Sequence, residues 1–284
     1  KNTKEEEYFL AWTTTPWTLI SNVALAVHPD VDYVTVVNKR KDKADERLVL
    51  AEPLLPKLDG EYEIVVRQRG KDLEGQEYEP LFDYLTTSEE LLKIPEYKQQ
   101  IAKSFRVIAD PYVTTEDGTG IVHLAPAYGE DDYRVSQKYG FPLVVTVNES
   151  GNFKLFITRY AGKFFKDADP EIMEDLKKAG KMYRKETIEH TYPFCWRCES
   201  PLLYYARNSW YIRVTDYRDE LVKQNKTINW YPPEIGEGRF GNWLEDLKDW
   251  GISRERFWGT PFPIWISDDG EELKGVGSYT DLIG

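Results

Sequence analysis

The sequence is poor in the residues that most often announce a chemistry. It holds two cysteines, three histidines and two methionines among 284 residues. The cysteines, Cys195 and Cys198, stand too close together to build the disulfide framework of a small secreted domain. They point to a reducing, intracellular setting. The histidines, His28, His123 and His190, are scattered, and no two have the spacing of paired ligands on one helix face, so a metal-dependent esterase finds little support. No Gly-x-Ser-x-Gly elbow occurs and no cysteine has an evident base partner, which removes the usual covalent nucleophiles. A glycine-rich phosphate loop ending in Lys and Ser or Thr is missing as well. Apolar runs are short. Even Phe141 to Val147 falls far below the roughly 20 residues that cross a bilayer, so no membrane is expected as a partner. Basic charge is also in deficit: a net charge of −12 argues against a sequence-independent nucleic-acid binder. Only local groups, Arg207, Arg213 and Arg218 near Trp210 and Tyr211, or Arg254 and Arg256 beside Phe257, could meet phosphates.

What is present is a hydrophobic share of 41% with 14% aromatics, enough to bury a substantial core in one large domain or two smaller ones. Lys1 to Glu7 are charged, without an initiator Met or a signal-peptide stretch, and suggest an internal piece of a longer chain. The first half reads as strands at Tyr8 to Thr13, Val31 to Val37, Arg47 to Ala51, Glu61 to Gln68, Phe105 to Ala109 and Ile121 to Leu124. A helix is predicted over Glu130 to Tyr139, stopped by Gly140. Another follows Asp169 as cap and Pro170 as first-turn residue, with Gly180 as its end. Between Thr86 and Gln100 lies a polar, helical excursion, read as a surface insertion. From Glu189 onward the texture turns aromatic and proline-rich, which sets a boundary. Thr215 is read as the cap of a helix to Asn225, and Phe240, Trp243, Leu244 and Leu247 have helical spacing.

Two segments could carry chemistry. Thr13, Thr14 and Thr15 place three hydroxyls at a strand exit before Pro16. Threonine is at home in strands, so an ordinary edge strand and turn would explain them; the same hydroxyls could hold polar ligand atoms or a water. In the second segment, Gly118 to Tyr133, His123 ends a strand, and Asp131 and Asp132 begin a helix. One Asp suffices as a cap, which leaves the other free to face a cleft and bind a cation such as an ammonium. Cys195 and Cys198 form half of a zinc knuckle with only His190 close enough to be a third ligand, so bound zinc is not expected.

Together these segments resemble the isoleucyl-tRNA synthetases, a class I aminoacyl-tRNA synthetase family. Ala11 to Asn22 is similar to that family's threonine-rich editing motif, Gly118 to Tyr133 to its His-x-Ala-Pro and Gly-x-Asp-Asp motif, and Trp250 to Pro261 to the segment re-entering the catalytic domain. Leucyl and valyl relatives carry Arg where this sequence has Thr15. Ile20 stands where the family commonly has Pro, and the excursion from Thr86 is longer than in short members. Neither the His-Ile-Gly-His nor the Lys-Met-Ser-Lys-Ser signature is present, so the chain itself is not expected to charge tRNA.

The resemblance implies an α+β fold: a β-rich, distorted barrel-like editing domain at 1–188 with flanking helices. A connective stalk with the Cys pair at 189–250 and the start of the return to the nucleotide-binding domain at 251–284 complete it. It implies hydrolysis of Val-tRNA(Ile), with Asp132, Thr14, Thr15 and His123 catalytic and Thr13, Trp17 and Asn22 binding substrate. Asp132 would grip the α-ammonium, His123 would form the wall against isoleucine, and the threonines would hold the terminal adenosine or the attacking water. The implied partners are the tRNA(Ile) acceptor end and the remainder of the synthetase, in the cytoplasm. Editing would need no cofactor, ATP being used by the parent enzyme elsewhere. The alternative is a non-catalytic module that only binds the tRNA 3′ end.

Overall fold

The computed structural model describes residues 6–41, 44–187, 191–254 and 262–283. The backbone separates into two compact units, Lys1–Ala206 and Arg207–Gly284.

The first unit is built on seven strands: β1 (Glu7–Phe9), β2 (Ala24–Val27), β3 (Asp32–Lys39), β4 (Glu46–Ala51), β5 (Glu61–Arg69), β6 (Arg106–Ala109) and β7 (Ile121–Leu124). They form one sheet in the order β1-β4-β3-β5 and another in the order β6-β2-β7. Neither closes into a barrel among the described residues, and with the helices the class is α+β. In β3 the β-branched residues Val34 and Val36 bury against Leu48 and Leu50 of β4. Tyr33 turns to the other side, where its hydroxyl donates to the Gly120 carbonyl at 2.6 Å. Gly120 has φ +73°, and a Cβ there would lie 2.4 Å from the Ala51 Cβ, so only glycine lets β7 begin this close to β4.

Strand β2 was not expected from the sequence, because its four residues are all buried and show no alternation. It lies between β6, which runs parallel to it, and β7, which runs antiparallel. At the other end of the reading, only Tyr8 and Phe9 of the expected Tyr8–Thr13 strand join a ladder, together with Glu7, so the threonines lie beyond the strand. Phe141 to Val147 forms no strand; Val147 alone makes a bridge, to Phe153.

Helices α1 (Gly70–Leu73), α2 (Tyr84–Thr87), α3 (Glu89–Leu92) and α4 (Pro95–Ile101) precede β6. The excursion after Thr86 is helical as expected. It is more than a surface insertion, since Tyr97 is buried in the same core as Ala24 and Leu124, with Leu91 and Leu92 packed against it. Helix α5 (Glu130–Tyr139) ends at Gly140 with φ 70°, the left-handed cap expected there.

Helix α6 (Phe165–Lys178) begins four residues before Asp169, with Pro170 inside it. The Asp-Pro pair is therefore not its start. Phe165, Ala168, Ile172 and Leu176 make one buried stripe, and packing of that stripe overrides the local stop-and-start signal.

The second unit contains α7 (Arg218–Asn225), α8 (Glu234–Glu237) and α9 (Arg239–Glu245). Leu244 and Leu247 are buried as their spacing predicts, while Trp243 is exposed. Thr215 does not cap α7. Its N–H and hydroxyl both donate to the Asp249 carboxylate, at 3.0 and 2.8 Å. No helix among the described residues is long and apolar enough to cross a membrane.

Candidate active site

Pro16 opens a short tight helical segment, Pro16–Ser21, and the threonines before it fold over its start. The Thr15 N–H donates to the Thr13 hydroxyl at 3.0 Å, and the two hydroxyl oxygens lie 3.3 Å apart. Thr15 Oγ1 is 3.1 Å from Thr18 Oγ1. The Thr18 hydroxyl donates to the Thr15 carbonyl at 2.8 Å and lies 3.2 Å from His123 Nε2. His123 comes from β7, opposite Leu25 of β2. Four side chains from two distant segments thus form one chain: Thr13, Thr15, Thr18, His123.

The hydrogens in this chain follow from counting donors. A threonine hydroxyl has one hydrogen, and a carbonyl oxygen only accepts. Thr18 therefore spends its hydrogen on the Thr15 carbonyl and must accept from its other two neighbours, Thr15 Oγ1 and His123 Nε2. Nε2 carries the imidazole hydrogen, and Nδ1 is left as a bare acceptor. Nδ1 is buried with no hydrogen-bond partner among the described residues. Burial pushes the imidazole pKa down to about 4, which keeps the ring neutral at physiological pH.

Asp132 enters from the first turn of α5. Its Oδ2 accepts the Ala125 N–H at 2.9 Å, which ties the helix to the backbone two residues beyond His123. The capping expectation fails here, because α5 has Gly129 at its cap and no side-chain cap bond. A Cβ at Gly129 would lie 2.9 Å from Asp132 Cγ, so the missing side chain makes room for the carboxylate. Burial raises the Asp132 pKa; the Ala125 N–H opposes the rise and the charge of Asp131 adds to it. Asp131 is exposed and pairs with Arg134 at 3.4 Å. Arg134 and Lys138 also reach the buried carboxylate of Asp110, just beyond β6, at 3.2 and 3.8 Å, and fasten α5 to the sheet. For Asp110 burial works upward, but the Arg134 bond, the Tyr112 N–H and the two cations outweigh it and lower its pKa.

The remaining expected site residues stand apart from this network. Thr14 is exposed. Trp17 is buried, its ring 4.6 Å from Tyr128 and 4.8 Å from Phe165. Asn22 is buried, donating to the Ala24 carbonyl at 2.8 Å and accepting from the Tyr78 hydroxyl. Thr18 was not singled out from the sequence. Its position five residues after Thr13 in the same motif was the only signal, and the contact that matters spans 105 positions.

Cys195 and Cys198 are free thiols in a tight turn. Glu199 takes φ 56°, its N–H donates to the Cys195 carbonyl at 2.8 Å, and the Cys195 N–H donates to the Ser200 carbonyl at 2.9 Å. Among the described residues no three His, Cys, Asp or Glu side chains gather as a metal site. His190, Arg256, Phe257 and the segment 255–261 lie outside the described residues. Of the other cations, Arg213 lies 4.0 Å from Asp216, and Arg254 donates to the carbonyls of Gly251 and Ser253.

The isoleucine–tRNA ligase of Clostridium acetobutylicum is 48% identical over 279 residues, covering 98% of this chain and 25% of that protein. The isoleucine–tRNA ligase of Bdellovibrio bacteriovorus is 45% identical over 277 residues, covering 96% and 25%. The chain spans about a quarter of the length of these relatives. Among solved structures, the cytosolic leucyl-tRNA synthetase editing domain of P. knowlesi has a TM-score of 0.46 at 12% identity, covering 63% of this chain and 83% of that one. That of P. falciparum has a TM-score of 0.43 at 14% identity, covering 62% and 78%. The family described as tRNA synthetases class I (I, L, M and V) matches residues 4–283, and the chain belongs to it.

Proposed function

We propose that this chain hydrolyses valine misattached to tRNA(Ile), as the proofreading part of an isoleucyl-tRNA synthetase. A hydrophobic pocket separates side chains differing by one methylene by only about 1–3 kcal/mol, so a second site that excludes the larger one adds the missing selectivity. The observation that carries the reading is the hydroxyl chain from Thr13 to His123, with the Asp132 carboxylate held on the Ala125 N–H two residues beyond His123. On this reading Asp132 binds the α-ammonium, the neutral His123 ring walls off isoleucine, and Thr14 and Thr15 hold the terminal adenosine or the attacking water. Thr13, Trp17 and Asn22 frame the pocket.

Water adds to the ester carbonyl, the bond from the carbonyl carbon to the ribose oxygen breaks, and that oxygen takes the proton. His123 Nδ1 has no partner among the described residues, but a ring held neutral to about pH 4 is a weak base. Positioning of water and carbonyl, helped by a substrate ribose hydroxyl, therefore supplies most of the rate. No cofactor takes part. The work falls to 1–188, with 189–250 as connecting stalk and 251–284 returning to the nucleotide-binding domain, in the cytoplasm and beside the remainder of the synthetase.

The test is deacylation of Val-tRNA(Ile) and Ile-tRNA(Ile). Asp132→Ala is expected to lower Val-tRNA hydrolysis by on the order of 100-fold or more with its circular dichroism unchanged. His123→Ala should raise hydrolysis of Ile-tRNA relative to Val-tRNA. A folded Asp132→Ala protein with full activity rejects the assignment, and wild-type binding without hydrolysis leaves a tRNA-end binding module instead.

A further inference from the structure

The threonine turn is fixed from below by a residue that the mechanism does not use. Trp17 is the first residue of the Pro16–Ser21 segment with an N–H, because Pro16 has none. That N–H is buried with its residue and has no carbonyl within its own segment to receive it. It donates to Asp169 Oδ1 at 2.9 Å, across 152 positions of sequence. Asp169 is itself buried, on α6, and its other oxygen lies 3.3 Å from Lys166 Nζ. The same face of α6 presents Phe165, Ala168 and Ile172 to Trp17 and Ile20, so the helix is the floor on which the turn rests. Apolar contacts tolerate sliding; a single directed bond to a backbone N–H does not. One residue farther on, Thr18 holds both His123 and Thr15.

We propose that Asp169 is a positioning residue for the hydrolytic site, setting the register of the threonine turn and through Thr18 the orientation of the His123 ring. The proposal rests on the editing reading for its catalytic consequence, while its structural consequence can be measured without activity. A carboxylate suits the task because a charge-assisted bond to a backbone N–H is stronger and more directional than a neutral one. Lys166 keeps that carboxylate compensated in its buried position.

The experiment compares Asp169→Ala and Asp169→Asn in the whole protein. Asparagine keeps an oxygen at the same reach, and alanine removes it. Two readouts are taken. Steady-state hydrolysis of Val-tRNA(Ile) gives kcat and KM, and imidazole nitrogen NMR reports whether His123 keeps its hydrogen on Nε2 against Thr18. Asp169→Ala is expected to lose at least about tenfold in kcat with KM within about twofold, and to lose the single-tautomer signal of His123. Asp169→Asn should restore both. A folded Asp169→Ala protein that keeps the wild-type tautomer signal overturns the proposal. Should Asp169→Ala fail to fold, Asp169→Asn decides: a retained signal and kcat support it, and a lost signal or a tenfold loss of kcat despite the retained oxygen overturns it. Wild-type protein inactive on every mischarged tRNA would sink the editing reading alone, since the tautomer comparison still judges Asp169.

Discussion

On the threonine side of the proposed site the chain Thr13, Thr15, Thr18 and His123 is neutral and depends on where hydrogens point; on the aspartate side a carboxylate is carried at the start of a helix. The first side is assembled across long sequence distances, with Thr18 meeting His123 and Trp17 meeting Asp169. The second is assembled locally, since Asp132 bonds Ala125 only seven residues away. The difference teaches how the site divides its labour. Neutral groups can be buried deeply at little cost once each hydrogen has an acceptor, and so they can shape a wall. On the proposed reading a charge grips an ammonium only while ionised; Asp132 is only partly buried, and its helix is fastened elsewhere, through Arg134 and Lys138 on Asp110.

The largest expected break in this comparison comes from acid. His123 titrates near 4 in the folded protein against 6.5 for a free imidazole, so the unfolded chain takes up its proton first. Stability contributed by the neutral ring is complete above pH 6.5 and is lost as pH falls from 6.5 toward 4. The loss should be on the order of 3 kcal/mol. Urea unfolding across this range measures it, and His123→Gln should flatten the slope there. Equal slopes in the two proteins would mean that the ring is not buried neutral.

Thr18→Val sharpens the comparison from the other direction, because valine matches the shape and deletes only the hydroxyl. Both His123 Nε2–H and the Thr15 hydroxyl then lose their acceptor. The expected cost is about 1–3 kcal/mol in denaturant unfolding, with the His123 tautomer no longer unique in NMR. An unchanged stability would show that the ring satisfies itself elsewhere and that the hydrogen assignment along the chain is wrong.

The same contrast explains what could be read in advance. Strands β3 to β7 and helix α5 announce themselves through local features: β-branched runs, a glycine cap, acidic residues in a first turn. So did the Thr13–Thr15 hydroxyls and the Asp131–Asp132 pair as candidates, since hydroxyl clusters and carboxylates at a helix start are visible in a line of letters; His123, and Asp132 over its neighbour, followed only from the resemblance to isoleucyl-tRNA synthetases. Strand β2 was hidden because a strand covered on both faces has no polar beat. Asp169 was misread because its neighbour Pro170 mimics a helix start, whereas the N–H it serves belongs to Trp17. Thr18 stayed unmarked for the same reason: what makes it matter is a contact, and sequence periodicity carries no information about contacts between distant segments.

The smallest expected effect is the most discriminating one on the charged side. Asp132→Asn keeps an oxygen for the Ala125 N–H and removes only the charge. Burial holds the carboxyl pKa above its ordinary value, so the unfolded chain releases this proton at lower pH than the folded one does. Ionisation of Asp132 therefore costs stability as pH rises from the free value of 3.8 through the raised folded value, and the cost persists at neutral pH. Removing the charge recovers that cost, less about 0.3–1 kcal/mol for the favourable place of an anion at the start of α5. Asp132→Asn should thus be slightly more stable than the wild type at pH 7 in urea unfolding, with the gain gone at pH 3, while Val-tRNA hydrolysis falls as it does for Asp132→Ala. A variant less stable than the wild type at pH 7 would show that the carboxylate supports the fold, and the charged side could no longer be set against the neutral one as the part held in place for its ligand.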